Sequence, residues 1–379
     1  MPDPNQIPLS LYIHVPWCVR KCPYCDFNSH EYSEQPEQAY LAALIDDLRQ
    51  DAPMVAGRPV RTVFIGGGTP SLMSGDFYQQ LLDAVRSELD LATDAEITLE
   101  ANPGTVEQAR FDAYRAAGIN RLSIGVQSFD AEKLAALGRI HGRDEALQAV
   151  ASARRAGFDN INLDLMHALP GQTPEQALDD LRQAIELAPT HLSWYELTIE
   201  PNTAFWSRPP LQPDSDQMAD TEQAGFALLA AAGFERYEIS AFARPGHACR
   251  HNLNYWEFGD YLALGAGAHG KLTSPDGQIL RYQKTRKPAD YLAQPARTRG
   301  RHFVEPADLP LEFLLNSLRL VAGTATSLFP ERTGLPLATL SDFRRKNVSE
   351  RLLLDDDQRL ACTPLGLSHL NRVLGHLDS

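Results

Sequence analysis

Three cysteines near the N-terminus are the residues of this sequence best suited to chemistry. Cys18, Cys22 and Cys25 lie within eight positions of a chain that has five cysteines in 379 residues. Cys22 and Cys25 alone have the spacing of a redox dithiol, whereas all three together could belong to a zinc site or bind an iron–sulfur cluster. The thiols therefore predict redox or metal chemistry.

These three interpretations make different demands on the chain. A glutaredoxin-type dithiol requires a small four-stranded fold, and it leaves Cys18 without a role. A structural zinc site needs a fourth ligand, for which His14 and His30 are the nearby candidates, and no second pair of ligands follows. Three thiolates can instead hold three irons of a [4Fe–4S] cluster and leave the fourth iron open. The iron–sulfur interpretation uses all three thiols, while a non-catalytic cluster or zinc site stays as an alternative.

Composition and charge indicate the class of protein. With 379 residues, of which 43% are hydrophobic, the chain can bury the core of one large domain and a smaller one. The sequence shows no signal peptide and no apolar stretch of the roughly 20 residues that span a bilayer. Together with the odd number of cysteines, this predicts a reducing, cytoplasmic location. The formal net charge of −14 argues against general nucleic-acid binding, which needs a basic surface.

The first two thirds of the chain alternate short apolar runs with longer segments of helical periodicity, which is typical of a parallel βα protein. We predict six such units, and right-handed crossovers would curl their strands into a TIM-like partial (βα)6 barrel. The predicted strands are 9–15, 60–65, 96–100, 121–126, 160–166 and 191–197. The predicted helices are 37–51, 76–89, 105–117, 144–156, 174–187 and 216–232.

Unusual residues follow the carboxyl ends of these predicted strands, where function concentrates in such barrels. In chain order, these segments are 18–25, 66–70, 100–103, 125–127, 164–167 and 196–201. Any one of them could be ordinary turn chemistry. Six of them in register predict a single site at the mouth of the barrel.

The spacing of Cys18, Cys22 and Cys25 after the first strand, with Gly-Gly-Gly-Thr-Pro at 66–70 after the second, resembles the radical S-adenosylmethionine (SAM) superfamily. The resemblance implies a [4Fe–4S] cluster whose open iron binds the amino and carboxylate groups of SAM and delivers the electron that splits its sulfonium. The glycines would let the backbone approach the methionine amino group closely.

A closer resemblance covers almost the whole chain. The stretches LYIHVPWC, IGGGTPS, EANPGT, SIGVQSF, LGRIHGR, NLDLMHALPGQT and LTIEPNT are similar to motifs of the oxygen-independent coproporphyrinogen III oxidase-like family. The residues that this resemblance assigns to SAM are Tyr12, Gly67, Gly68, Thr69, Glu100, Gln127, Arg139 and Asp164, with Tyr24 beside the cluster. Glu100 or Asp164 could accept hydrogen bonds from the ribose hydroxyls or the ammonium, and Arg139 could pair with the carboxylate.

Two departures indicate which branch of that family the chain resembles. The resemblance implies that the oxidases carry the pattern Cys-x3-Cys-x2-Cys-x-Cys after an N-terminal extension. In this chain Phe27 stands at the position of the fourth cysteine, and 17 residues precede Cys18. The segment HNLNYW at 251–256 is similar to an element of the HemW branch, whose members act as haem chaperones. The resemblance therefore implies haem as cargo and client haemoproteins as partners. Radical decarboxylation of coproporphyrinogen is the alternative activity, and the sequence does not decide whether SAM is cleaved.

The sequence offers His251 as an axial ligand of haem iron. Cys249 is a rival thiolate ligand, and Tyr255 and Trp256 could offer flat apolar surface to the macrocycle. A hydrogen-bonded polar loop beneath the barrel is the other interpretation of this segment. The sequence leaves open a second SAM, a homodimer and peripheral membrane contact.

Two further segments have an ambiguous pattern. Residues 265–270 match G-x-G-x-x-G, but no helix is predicted after them, so we expect a tight backbone segment rather than a dinucleotide site, with His269 facing the adenosyl pocket or packed structurally. Residues 281–301 carry seven Arg or Lys and one Asp. Such a stretch is usually a solvated loop, although it could pair with propionates or lipid headgroups.

The pattern changes after residue 305. Helical spacing at 311–321, 336–346 and 364–377, with a predicted hairpin of 351–354 and 358–362, suggests a small winged-helix-like domain. We therefore predict a radical SAM partial barrel at 1–240, a barrel extension at 241–304 and a C-terminal helical domain at 305–379.

Overall fold

The computed structural model describes residues 1–31, 36–55, 57–105 and 108–377, which form an α/β fold around one large sheet. The strands are β1 (Leu9–Val15), β2 (Trp17–Cys18), β3 (His30–Glu31), β4 (Val60–Gly67), β5 (Leu91–Ala101), β6 (Arg121–Gln127), β7 (Asn160–His167), β8 (His191–Glu196), β9 (Glu235–Glu238), β10 (Ala241–Ala243), β11 (Asp260–Leu264), β12 (His269–Thr273), β13 (Ile279–Lys284), β14 (Thr298–Phe303), β15 (Thr324–Ala325) and β16 (Arg359–Leu360). All six predicted strands are present, with small differences at their ends.

The order of strands in the large sheet is β14-β13-β12-β11-β1-β4-β5-β6-β7-β8-β10-β9. The six predicted strands are neighbours and parallel, from β1 through β8, as the βα pattern required. Strand β11 adds a further parallel strand beside β1, and the strands beyond β11 and beyond β8 are antiparallel. Strands β14 and β9 are the two edges of the described sheet, so the sheet does not close on itself. It forms a partial barrel, as predicted.

The helices are α1 (Glu37–Asp51), α2 (Gly75–Glu88), α3 (Gln108–Ala117), α4 (Ala131–Ala136), α5 (Arg143–Arg155), α6 (Pro174–Glu186), α7 (Ala204–Ser207), α8 (Ser215–Ala231), α9 (Arg250–Trp256), α10 (Pro288–Ala293), α11 (Leu309–Ser317), α12 (Leu328–Thr333), α13 (Ser341–Ser349), α14 (Pro364–Ser368) and α15 (Leu370–Leu374). The six predicted helices correspond to α1, α2, α3, α5, α6 and α8. Their starts follow ordinary capping rules: Thr173 and Gln176 form a capping box at α6, with Pro174 in its first turn. No described helix is long and apolar enough to cross a bilayer.

The two faces of the sheet differ in chemistry. One face packs against the helices through alternating apolar residues such as Leu11 and Val63. The opposite face, called the inner face below, carries buried polar side chains that bond to one another. Thr62 Oγ1 donates to Ser10 Oγ at 2.7 Å, and Asn162 Nδ2 donates to Ser123 Oγ at 2.7 Å. A polar inner face is suited to line a ligand site rather than a dry core.

The basic stretch at 281–301 is not a solvated loop, which corrects the usual reading of such a composition. It forms β13, α10 and β14, which extend the sheet. The buried Lys284 Nζ lies 2.6 Å from Asp47 Oδ1 and 2.5 Å from Asp51 Oδ2, both on α1. This paired cluster fastens β13 to the first helix of the barrel.

The C-terminal residues have their own apolar core, centred on Phe313, Phe329 and Phe343. The predicted hairpin is reduced to one bridge between Leu353 and Cys362, because β16 pairs with β15 instead. The predicted last helix is divided into α14 and α15. A bridge between Glu238 and Leu320 joins this part of the chain to the sheet.

Candidate functional site

The three cysteines lie in the segment that follows β1: Cys18 ends the short strand β2, and Cys22 and Cys25 lie on the loop between β2 and β3. Their thiols are free and half-buried. Burial raises the pKa of Cys18 and of Cys25, and the neighbouring thiols raise it further, whereas hydrogen bonds from Thr69 to Cys18 and from Ser29 to Cys25 lower it. The thiols are therefore close enough to act on one another and face a common space.

This thiol loop is held by bonds to distant parts of the chain. The backbone N–H of Lys21 donates to the carboxylate of Glu31 at 3.0 Å. Asn28 Nδ2 donates to the backbone oxygens of Ala266 at 2.9 Å and Arg286 at 2.8 Å. The loop is thereby fixed to the segments on both sides of β12–β13.

A cavity of about 360 Å³, called the first cavity below, opens beside the thiols. It is lined by the three cysteines and by Tyr24, which was expected beside the cluster. It is also lined by the predicted SAM residues Gly67, Gly68, Thr69, Glu100, Gln127, Arg139 and Asp164. The lining residues that the sequence did not single out include Asn102, Ser123, Tyr195 and Arg319. Asn102 lies within the quoted EANPGT motif, so its position beside Glu100 was a usable signal, whereas Arg319 comes from the C-terminal part and had none.

Two of the acids of the first cavity, Glu100 and Asp164, are held in different ways. Burial raises the pKa of Glu100 to about 8, with a further contribution from the charge of Asp164, while the Gly67 N–H that donates to Glu100 Oε2 at 3.0 Å lowers it. Burial also raises the pKa of Asp164, but Ser123 and Asn162 each donate to it at 2.8 Å and oppose the shift. Glu100 is therefore the group in this cavity whose charge a cationic ligand would change.

Arg139 lies between the thiols and the strand ends. Its Nη1 is 3.6 Å from Cys22 Sγ, and its Nη2 donates to the carbonyl oxygen of Gly125 at 2.8 Å and to Asn102 Oδ1. Because the guanidinium is anchored at the strand end, it presents a fixed positive charge to the cavity.

Gln127 adopts a backbone conformation that side chains rarely take. Its φ is +69°, and an irregularity in the pairing of β6 with β7 accompanies it between Gly125 and Gln127. The OH of Tyr195 donates to Gln127 Oε1 at 2.8 Å. Left-handed conformations of non-glycine residues concentrate at functional sites, where the surrounding structure holds them.

The glycines after β4 serve the thiol loop as well as any ligand. Gly67 has φ +118°, and a Cβ there would lie 2.6 Å from His14. A Cβ on Gly68 would lie 2.5 Å from the carbonyl oxygen of Trp17. From the sequence we expected these glycines to let the backbone approach SAM closely. The structure shows that neighbouring parts of the chain already leave no room for a side chain at these positions.

A second cavity of about 570 Å³ adjoins the first and shares Phe27, Gly67, Glu100 and Trp256 with it. Its remaining lining residues are Tyr12, His14, Asp26, Asn28, Tyr255, Tyr261, Gly267, His269, Arg286 and Asn316. Tyr12 therefore lines only the second cavity, where it is joined by Gly67 and Glu100 of the predicted SAM residues. Tyr12 OH bonds to His14 Nδ1 at 2.9 Å, and its ring stacks on Phe64.

His251 does not reach either cavity. Helix α9 packs against β1 and β4 on the inner face, and the His251 side chain is 1% exposed. Its Nδ1 bonds to Thr62 Oγ1 at 2.7 Å and its Nε2 to Tyr255 OH at 2.8 Å. Since both ring nitrogens are occupied, this geometry argues against the expectation that His251 binds haem iron. The ring is hydrogen-bonded as the alternative interpretation expected, but the segment is the helix α9 rather than a loop.

The rival ligand Cys249 is equally inaccessible. It is 0% exposed, and its Sγ lies 3.6 Å from Glu96 Oε1. Burial raises its pKa to about 11, so the thiolate is disfavoured. The segment 249–256 contributes to the cavities through Asn252, Tyr255 and Trp256 rather than through either predicted metal ligand.

The donor set fits an iron–sulfur cluster. Three thiols of one loop, half-buried and within electrostatic reach of one another, face a cavity with room beside them, which is the arrangement that clusters use. Phe27, at the position of a fourth cysteine in the oxidases, lies 61% exposed at the rim of both cavities. In the described parts of the chain, no three His, Cys, Asp or Glu side chains are grouped to hold a single metal ion.

Comparison with known proteins agrees with these observations. Residues 12–184 match the Radical SAM superfamily, and residues 304–369 match the HemN C-terminal domain. The structure of coproporphyrinogen III oxidase (HemN) from Escherichia coli, titled a radical SAM enzyme, is similar with a TM-score of 0.83 and 26% identity, covering 99% of this chain and 91% of that one.

Curated relatives distinguish the branch. A protein of Escherichia coli (strain K12) named heme chaperone HemW is 58% identical over 329 residues, which cover 86% of this chain and 87% of the relative. A protein of the same name from Haemophilus influenzae is 48% identical over 381 residues, which cover 98% of each chain. The predicted branch is thus confirmed, and the chain belongs to the HemW family within the radical SAM superfamily.

Proposed function

We propose that this protein is a haem chaperone, which binds haem and a SAM-liganded [4Fe–4S] cluster and transfers the haem to client haemoproteins in the cytoplasm. The observation that carries the proposal is the 58% and 48% identity, over most of the chain, to proteins named heme chaperone HemW. The fold and the thiol loop support it, since they offer three thiols beside a cavity in which the cluster and the SAM that the superfamily implies could bind.

Cys18, Cys22 and Cys25 would hold the cluster, which supplies an open iron and an electron for SAM. Arg139 lies against Cys22 and would offset the negative charge that three thiolates bring into the cavity. Tyr24 closes the side near Phe205, with 6.3 Å between the two ring centroids. These residues keep the thiols within a partly enclosed space that limits access of water.

Glu100, Asp164, Gln127, Gly67, Gly68 and Thr69 would bind SAM in the first cavity. With a pKa of about 8, Glu100 holds a proton near neutral pH when no cation is present. An ammonium group beside it would favour the ionised form, so binding would release that proton. Asp164 is already held by two donors and has acceptor capacity left for hydroxyls.

Radical decarboxylation of coproporphyrinogen is the second candidate. The 0.83 TM-score to coproporphyrinogen III oxidase over 99% of this chain favours it. Phe27 in place of a fourth cysteine disfavours it, because the family resemblance gives that cysteine to the oxidases. The two candidates differ in what they predict for haem and for product.

The test is to reconstitute the protein anaerobically and to titrate it with haem by absorption spectroscopy. A parallel reaction with coproporphyrinogen III, SAM and a reductant is assayed for decarboxylated porphyrinogen and 5′-deoxyadenosine. Stoichiometric haem binding without decarboxylated product supports the chaperone. Product formation with weak, nonspecific haem binding would mean that the protein is an oxidase.

Cys22→Ser tests the cluster itself. We expect reconstituted iron and sulfide to fall to background, because two thiolates cannot hold the cluster. Cys362→Ser, at a cysteine buried in the C-terminal core, is the matched control and should load the wild-type amount of iron. If Cys22→Ser retains a full cluster, or if the wild type loads zinc alone, the assignment of the thiols is wrong.

A further inference from the structure

The second cavity has an aromatic lining with a few polar groups, which suits a ligand with a large apolar surface. Its volume of about 570 Å³ lies within the range of ordinary small-molecule sites. Tyr12, Tyr255, Trp256 and Tyr261 supply aromatic surface. Tyr255 and Tyr261 pack edge to face with 4.6 Å between their ring centroids, which fixes their orientation. The cavity adjoins the first one, so its ligand would lie beside SAM.

Three histidines lie in or next to this cavity, and their ring nitrogens differ in availability. His14 bonds to Tyr12 OH and to the Asn28 carbonyl oxygen, both at 2.9 Å. His251 bonds to Thr62 and Tyr255, as described above. Both of these rings are therefore fully occupied by the protein.

His269 is the exception. It begins β12, where its backbone pairs with Gln283, and its side chain is exposed to the cavity. Its ring makes no hydrogen bond or ion pair with any residue that the structure describes. Burial lowers its pKa, and the charges of Arg286 and Arg281 lower it further, which favours the neutral imidazole that binds metals.

A cation lies beside His269 at the same opening. The side chain of Arg286 is exposed, and the described residues offer it no ion pair, whereas the nearby Arg281 is paired with Glu312. The backbone oxygen of Arg286 is held by Asn28, so the position of the residue is fixed while its guanidinium stays available. An unpaired guanidinium is suited to bind a carboxylate.

We propose that the second cavity is the haem site of this protein, with His269 as an axial ligand of the iron and Arg286 as a partner of a propionate. An aromatic wall, an imidazole without a protein partner and an unpaired guanidinium match the ring, the iron and the carboxylates of haem. The inference rests on the proposed function, because it identifies the site of the haem that the chaperone carries.

The test compares three histidine variants in the anaerobic haem titration. His269→Ala should weaken haem binding by about 10- to 100-fold and change the absorption and electron paramagnetic resonance spectra of the iron, since a metal ligand is lost. Added imidazole should restore the wild-type spectrum, which a merely structural role would not allow. His302→Ala, at an exposed histidine on β14, is the matched control and should bind as the wild type does.

Arg286→Gln separates the two contacts. It should weaken haem binding by about 3- to 10-fold, because a charge-assisted bond is lost at an exposed site, and it should leave the spectrum of the iron unchanged. Circular dichroism and SAM binding of each variant show that the fold is retained.

Two results would overturn the inference while leaving the chaperone proposal in place. One is a wild-type spectrum and affinity in His269→Ala. The other is loss of the axial-ligand spectrum in a folded His251→Ala with His269 intact. If the wild type itself binds no haem, the proposed function fails, and the two failures are thereby distinguished.

Discussion

The two cavities at the mouth of the barrel share a wall but differ in how their polar groups are satisfied. In the first cavity, Glu100, Asp164 and Arg139 each have a hydrogen-bond partner from the protein. In the second, His269 and Arg286 face the opening without such a partner among the described residues. The first cavity is therefore organised before its ligand arrives, whereas the second has two solvent-exposed groups that are available to a ligand.

The supporting elements of the two cavities differ as well. The first cavity is built on the ends of β4 to β8, each followed by a packed helix. The second takes His269 from the start of β12 and Arg286 from the residues just after β13, and β13 is fastened to α1 by the buried Lys284 cluster. Disturbing one support should therefore affect one ligand more than the other.

Lys284→Met should have the largest effect. It leaves Asp47 and Asp51 buried without their cation, and breaking a buried ion pair in this way costs about 3–5 kcal/mol of unfolding free energy. Urea denaturation measures that loss. Because β13 leads directly to Arg286 and pairs with β12, which begins at the cavity residue His269, haem affinity should fall more than SAM affinity.

The controls for this prediction use the same stretch of chain. Lys287→Met, at an exposed lysine three residues on, should change stability by less than about 0.5 kcal/mol. Adding Asp47→Asn and Asp51→Asn to Lys284→Met should restore much of the loss, since the unpaired charges are removed. Equal loss of haem and SAM affinity would show that the two cavities do not have separate supports.

Glu100→Gln should have the next largest effect, and it depends on pH. The folded state keeps the Glu100 proton up to about pH 8, whereas the ordinary pKa of the group is 4.5. Ionisation in the unfolded state therefore costs folding stability progressively from about pH 4.5 to about pH 8, and the loss stays constant above that. Removing the acid should stabilise the protein by on the order of 4 kcal/mol at pH 8 and by only about 1 kcal/mol at pH 5.5.

Urea denaturation at the two pH values checks this expectation. Glu305→Gln, at an exposed carboxylate, should behave like the wild type at both. SAM affinity should fall in Glu100→Gln. That result would show that the charge of Glu100 acts on the ligand of the first cavity, although Glu100 also lines the second. A gain in stability that is the same at pH 5.5 and pH 8 would mean that Glu100 is ionised in the folded protein.

The sequence predicted one cavity far better than the other, for physical reasons. The first cavity follows six strands whose apolar runs and helical spacing are visible in the sequence, and parallel strands bring their carboxyl ends together. The second takes Tyr261 from β11, His269 from β12 and Arg286 from just after β13, and the basic stretch that contains Arg286 and Lys284 has the composition of a solvated loop. A sequence pattern shows that Lys284 is basic, but only the fold shows that Asp47 and Asp51 surround it.

The histidines show the same limit at single residues. The imidazoles of His251 and His269 are chemically equivalent as iron ligands. The HNLNYW segment favoured the choice of His251 from the sequence. What distinguishes them is whether another side chain already uses the ring, and Thr62 and Tyr255 lie far from each other in the sequence. Partners of this kind are set by packing of α9 against the inner face, which no local pattern predicts.

Gln127→Gly should have the smallest effect on stability and tests how strongly the first cavity is held. Glycine removes the strain of a φ of +69°, worth about 1 kcal/mol, but also removes the bond from Tyr195. The two effects offset each other, so the net change should lie within about 1 kcal/mol. In a Tyr195→Phe background the bond is already absent, and the same substitution should stabilise the protein by about 1 kcal/mol.

Ligand binding completes the comparison. Gln127 lines the first cavity and not the second. Gln127→Gly should therefore lower the affinity for SAM and leave the affinity for haem unchanged. The contrary outcome is that Gln127→Gly destabilises the wild type and the Tyr195→Phe variant by the same amount. In that case the left-handed conformation of Gln127 carries no strain, and the hydrogen bond from Tyr195 does not hold that conformation. The strained backbone would then be a consequence of the β6 irregularity alone, rather than a feature that places the amide in the cavity.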